Sequence, residues 1–223
     1  MGYGYNLGVM FQIAPNTRIG ATYRSAIDYE LTGTASFSGT SGALLGSGVR
    51  ADLKVPDSAS ISFLTALSPK WDLMADVTWT KWSQIQQLVV VRTSATVAGS
   101  APGSTLTSLP FLWDDVWRYG IGANYRMNDQ LKIRFGLALD KTPTNDATRT
   151  PRLPDADRTW VALGMQYRVS KGGVLDIGYA HEFVRDANVN VSASPALVCP
   201  THCLNGSFDN QADIFSIQYS HAF

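Results

Sequence analysis

The stretch Leu131–Asp140, LKIRFGLALD, decides how the rest of the chain is read. Leu131, Ile133, Phe135, Leu137 and Leu139 hold the odd positions, and Lys132, Arg134, Gly136, Ala138 and Asp140 the even ones. Successive side chains of a strand point to opposite faces, so one face here is wholly apolar and the other polar or small. The same alternation recurs along the chain in the same odd–even phase. Tyr3, Tyr5, Leu7, Val9, Phe11 and Ile13 alternate with small or polar residues and Met10. Ile19, Ala21, Tyr23, Ile27, Tyr29 and Leu31 alternate with Arg18, Thr22, Arg24, Asp28 and Glu30. A weaker segment runs from about Val49 to Leu67, with Ile61, Phe63 and Leu67 on one face. Trp71, Leu73, Val77 and Trp79 then oppose Asp72, Asp76 and Thr80, and Trp117, Tyr119, Ile121 and Tyr125 oppose Arg118, Asn124 and Arg126. After the opening stretch come Val161 to Val169, Leu175 to Tyr179 and Phe215 to Phe223. The pattern predicts nine strands.

Connections alternate in length. Short turns at Pro15-Asn16, Ser68-Pro69, Asn128-Asp129 and Gly172-Gly173 carry good turn chemistry. Between them lie long connections rich in Gly, Ser and Thr, near residues 38–48, 93–113, 143–156 and 187–209. A soluble sandwich would bury its apolar face in protein, and its turns need not alternate in this way. Apolar-out, polar-in alternation with short turns at one end and long loops at the other predicts an all-β fold, a transmembrane antiparallel β-barrel of the outer-membrane type. Lipid supplies the apolar partner, and barrel closure satisfies the backbone groups that hydrocarbon cannot. Residues 1–223 are read as one barrel domain.

Composition agrees with this reading. The 223 residues carry zero formal net charge, which gives no electrostatic reason to expect nucleic acid as a partner. No apolar run approaches the length of a transmembrane helix. Tyr3, Tyr5, Trp71, Trp113, Trp117, Tyr125, Trp160 and Tyr167 sit near the ends of patterned segments, as expected of interfacial girdles. The residues after Met1 do not form a signal peptide, so either a signal has been removed or the chain begins inside a longer protein. Phe223, an aromatic terminus on a final amphipathic strand, is expected to be read by the outer-membrane insertion machinery.

The segment Thr142–Phe183, centred on LPDADRTW (Leu153–Trp160), resembles the FadL family of outer-membrane long-chain fatty-acid and hydrocarbon transporters. Met1–Ser25 and Asp114–Pro143 also look like family segments. The resemblance implies a plugged barrel of about fourteen strands, an even count as bacterial barrels have. It also implies passive uptake of a long-chain fatty acid or other hydrophobic compound, caught by outer loops and passed through the interior. The N-terminal hatch and the leading strands have no counterpart here, so the chain is expected to be the C-terminal part of the barrel; a closed nine-stranded barrel is the alternative. Where family members would place a basic residue before the fifth strand, this chain has Leu109, Pro110, Phe111 and Leu112, which leaves room for a neutral hydrocarbon.

Even-numbered residues are expected to line the lumen. Arg24, Arg118, Lys132 and Arg134 are candidates to meet an acidic head group, or else to form cross-strand salt bridges. Met10, Leu64, Met74 and Trp160 are apolar side chains on that polar face, readable as a ligand patch or as a seat for the hatch. Leu44, Leu45 and Phe111 belong to apolar loop clusters that could capture a greasy ligand or cap one another. Asp155, Asp157 and Arg158 are read as holding a loop. Cys199 and Cys203, in CPTHC, are read as a disulfide. Two Cys and one His are too few ligands for a metal site. His181, His202 and His221 are scattered, so no cofactor, no metal and no catalytic triad are expected. The partners expected are a hydrophobic small molecule and membrane lipid, with the barrel a monomer. Besides a fatty-acid or monoaromatic-hydrocarbon channel, a lipase-like barrel enzyme and an adhesion barrel remain as alternatives.

Overall fold

The computed structural model describes residues 1–39, 42–192 and 203–222. In chain order the strands are β1 (Asn6–Ala14), β2 (Thr17–Arg24), β3 (Ile27–Ala35), β4 (Ser47–Val55), β5 (Ser58–Ala66), β6 (Trp71–Thr80), β7 (Gln87–Arg92), β8 (Thr105–Pro110), β9 (Val116–Arg126), β10 (Leu131–Asp140), β11 (Arg158–Arg168), β12 (Gly173–Val184), β13 (Ala187–Ser192), β14 (Cys203–Phe208) and β15 (Gln211–His221). One helical turn, α1 (Gly42–Leu45), lies between β3 and β4, and a 3₁₀ turn, Trp82–Gln84, precedes β7.

Nine strands form one sheet in the order β1-β2-β5-β6-β9-β10-β11-β12-β15, antiparallel throughout. Apart from a register shift at the end of β1, where Ala14 meets Thr17, the pairing keeps parity across the sheet. Leu64 faces Met74, Met74 faces Gly122, Gly136 faces Ala162 and Gln166 faces Asp176, so from β2 onward even residues meet even ones. A one-residue slip at any pair would have reversed both faces of the remaining sheet. One continuous face therefore carries the charged and small side chains, and the other carries the apolar set.

That apolar set does not converge on a core. Ile61, Ile121, Phe215 and Ile217 are 63%, 59%, 78% and 74% exposed, and no large side chain among the described residues is fully buried. In water, so much exposed apolar surface would be very costly. In a bilayer it is what a lipid-facing band requires. The sheet is open, with β1 and β15 at its edges, so the structure is a partial barrel and the closed nine-stranded alternative does not hold.

Two expectations are corrected. The segments read as single strands, Arg18 to Leu31 and Val49 to Leu67, are each broken in two. At the first break Ser25 leaves the ladder to bond Tyr5, its N–H to the Tyr5 carbonyl and its Oγ to the Tyr5 N–H, both at 2.9 Å. At the second, Pro56 has no N–H to continue pairing. Beyond these points β3 and β4 rise as a hairpin of their own. The long connections are not plain loops either. β3, β4, β7 and β8 form a four-stranded sheet in that order, and β13 pairs with β14, so the long-loop end carries strand structure that Gly, Ser and Thr content concealed. The short turns match expectation in place. In one, the Asn128 carboxamide oxygen accepts from the N–H groups of Gln130 and Leu131 at 2.9 and 2.8 Å.

Candidate functional site

The polar face has three zones, set by height along the strands. The outermost lies beneath the long loops, where a cavity of about 520 Å³ opens on the lumen side. Trp82, Trp113, Val116 and Leu153 give it an apolar wall, and Arg118, Asp140, Lys141 and Arg158 give it a charged rim. Trp113 is held by an aromatic stack, 4.7 Å from Phe111 and 5.2 Å edge-on to Trp82. Phe111 does not line the cavity itself and reaches it only through this stack on Trp113. Trp113 lines this cavity and Trp160 a hollow lower in the wall, so their expected places in a lipid girdle are corrected.

Every base on that rim, Arg118, Lys141 and Arg158, is matched by an acid. Arg118 lies 3.4 Å from Asp76, and Lys141 lies 2.6 Å from Asp157. Arg158 pairs with Glu182 at 3.2 Å and with Asp155. The loop between β10 and β11 is fixed by the same residues of LPDADR. Thr142 donates its hydroxyl to Asp155 at 2.6 Å and its N–H to Asp157 at 3.0 Å. Burial alone would raise the Asp157 pKa. The Lys141 hydrogen bond, the Thr142 N–H and the nearby charges of Lys141 and Arg185 outweigh it and hold the carboxyl below its ordinary range. Arg149, only 5% exposed, pins the loop to its neighbour, donating to the Asp155 and Asn188 carbonyls at 2.8 and 2.7 Å and pairing with Asp146.

The middle zone is a shallow hollow of about 300 Å³ in the wall itself, where Met74, Arg118 and Trp160 come together over small residues such as Gly120, Gly136 and Ala162. Gly120 leaves room for its neighbour, because a Cβ there would sit 2.5 Å from the Asp76 carboxylate and push that side chain aside. Leu64 lies directly across from Met74. Arg134, another candidate on this face, pairs with Asp176 at 3.0 Å. Arg24 and Met10 lie apart, on the β1–β2 side, with the Arg24 guanidinium donating to Asn6 at 3.1 Å. Leu44 and Leu45 ride on α1, tied to the β7–β8 hairpin through the Leu44 carbonyl, which accepts from the Ala98 N–H, and the Leu45 carbonyl, which accepts from Arg92.

Some residues of this candidate site were not singled out from sequence. Val116 holds an even position at the outer end of β9 and Trp82 one just beyond β6, a signal that was present. Trp113 and Leu153 lie in loops, where parity says nothing. His181 contacts Asp213 at 2.8 Å, but both are odd-numbered and belong to the outward face. Cys199, His202 and Phe223 fall outside the described residues, so the disulfide and the terminal aromatic expectation do too.

A family model described as outer membrane protein transport protein (OMPP1/FadL/TodX) matches residues 1–223. A putative outer membrane protein of Neisseria meningitidis serogroup B is 32% identical over 240 residues, covering all of this chain and 51% of that protein. The long-chain fatty acid transport protein of Escherichia coli K12 is 27% identical over 202 residues, covering 85% of this chain and 43% of its own. Among solved structures, a Pseudomonas aeruginosa FadL homologue superposes with a TM-score of 0.84 at 25% identity, over 98% of this chain and 52% of its own. The Pseudomonas putida toluene transporter TodX shares the fold, with a TM-score of 0.60 at 19% identity over all of this chain and 50% of its own. The chain thus spans about half the length of the proteins it matches.

Proposed function

Because the chain belongs to the OMPP1/FadL/TodX family of outer membrane transport proteins, we propose that it forms part of a passive route for hydrophobic compounds across the outer membrane. The observation that carries this reading is the cavity beneath the loops, with its wall of Trp82, Trp113, Val116 and Leu153. Pockets for small molecules are lined mainly by apolar and aromatic groups with a few polar ones, and this cavity has that make-up. Its bases are already paired with acids, so it selects for an apolar body more than for a charge. Long-chain fatty acids and monoaromatic hydrocarbons, the compounds named for relatives, both offer such a body. From the cavity a ligand would pass down the even-numbered face, over the hollow between Met74 and Trp160.

The test is uptake of labelled oleate and labelled toluene by cells carrying the intact gene, a deletion, or Trp113→Ala. Faster uptake of at least one compound with the intact gene, and a several-fold loss in the variant, is expected. Equal uptake with and without the gene would overturn the reading.

A further inference from the structure

The third zone of the polar face lies at the short-turn end, away from the loops. There a cavity of about 590 Å³ is bounded by the turns around Lys70 and Asn128 and by the inner ends of β10, β11 and β12. Its lining carries four bases, Lys70, Arg126, Lys132 and Arg168, against a single acid, Asp129. Of the four, Arg126 is committed to Asp72 at 2.6 Å. Lys70, Lys132 and Arg168 make no ion pair among the described residues. The nearby acids are spoken for: Asp72 also accepts from Asn124, and Asp176 holds both Arg134 and Gln166. Arg18, at the same end of β2, likewise has no acid partner among the described residues.

Charge is therefore segregated along the wall. Around the outer cavity and the middle hollow each lining base has its acid, while at the inner mouth the bases are in excess. Adjacent turns hold them in place, since Arg126 donates its N–H to the Lys70 carbonyl at 2.8 Å and Arg168 its N–H to the Gln130 carbonyl at 2.9 Å. Uncompensated positive charge lining a concave polar surface favours an anion. Lysine offers a compact charge and arginine a planar fork, a combination that suits carboxylate and phosphate oxygens. Apart from Pro69, Met127, Leu131 and Val174 the lining is polar, so the surface suits a head group and not a hydrocarbon tail.

We propose that the inner mouth is an oxyanion-binding site that takes a carboxylate or phosphate group at the periplasmic end of the lumen. Where that group is the head of a transported amphiphile, the site follows from the function proposed above, because it would hold the charged end that the outer cavity leaves unmatched. Free phosphate would use the same bases without requiring transport.

The deciding experiment is calorimetric titration of inorganic phosphate into the intact protein in neutral detergent at low salt. Lys132→Gln combined with Arg168→Gln is expected to weaken binding about tenfold, the scale of lost charge-assisted hydrogen bonds at a partly exposed site. Raising salt should weaken wild-type binding as well, because the site is open to solvent. Lys70→Gln, in an exposed turn, gives a milder variant if the double variant fails to show the heat-modifiable migration of a folded barrel. Phosphate binding that is absent, or unchanged in the folded variants, overturns the proposal. A second arm compares oleate with oleyl alcohol. A preference for oleate that phosphate competes away, and that the double variant loses, identifies an amphiphile carboxylate as the ligand. Phosphate binding without that preference identifies free phosphate. Phosphate binding that persists while neither oleate nor toluene is taken up leaves this site standing and removes the transport reading.

Discussion

Single residues on the lumen wall are tuned by their partners, and Asp72 shows this most sharply. It is 6% exposed and accepts from Arg126 at 2.6 Å and Asn124 at 3.3 Å. Arg126→Met would leave that carboxylate nearly buried with one weak partner. The expected cost is about 1–2 kcal/mol, discounted because Arg126 itself is partly solvated. Equilibrium unfolding in urea would measure it, and Asp72→Asn, which keeps an acceptor for both partners, should cost less. Asp157 yields a pH prediction. Its folded pKa lies below the unfolded value, so its contribution is fully present above the ordinary carboxylate range and is lost as pH falls through the depressed folded value. Hydrogen exchange in residues 141–157 should therefore stay slow at mildly acidic pH and quicken only in strong acid. Asp157→Asn should loosen the loop at neutral pH and flatten that dependence. The partners that hold Asp157 come from Lys141 and Thr142, at the far side of a loop, so the sequence announced the motif without showing what it grips.

A strand is the scale at which the sequence was most legible. Parity in LKIRFGLALD assigned both faces of β10 correctly, because a two-residue period leaves each side chain only two directions and the bilayer forces the choice. Neighbouring positions should then respond in opposite ways. Phe135→Arg places a charge on the lipid-facing side at mid-strand and is expected to cost roughly 2–4 kcal/mol in unfolding from vesicles. Gly136→Ser, one residue along, meets only an ordinary contact, with a Cβ 3.5 Å from that of Ala162, and should change stability little. Where parity stops, legibility stops with it. β7 and β8 were missed because their short runs, QLVVVR and TLTSLP, sit within Ser- and Thr-rich sequence and lack the strict alternation of a one-sided strand. The breaks at Ser25 and Pro56 were missed because the apolar phase continues through them into the β3–β4 hairpin.

For the molecule as a whole, the proposed route is a property of the assembled wall, since no one strand contains it. The hollow in the middle zone exists because β6, β9, β10 and β11 bring Met74, Gly120, Gly136 and Ala162 to one height, and only their registers bring them there. Composition could flag small residues on even positions but could not show that they coincide. Bulk added at that height should obstruct passage. Ala162→Trp would project a large ring over the hollow from the lumen face. Val161→Trp, the preceding residue, would place the same ring on the outward face, where Val161 is already exposed and lipid accepts an aromatic side chain. Both variants alter the same strand by the same chemistry, so loss of folding would be expected to affect them alike and would appear in their heat-modifiable migration. If the wall is the route, uptake of labelled oleate or toluene falls several-fold in Ala162→Trp and stays near wild type in Val161→Trp. Equal uptake by the two folded variants would mean that ligands do not travel along this face, whatever the outer cavity captures.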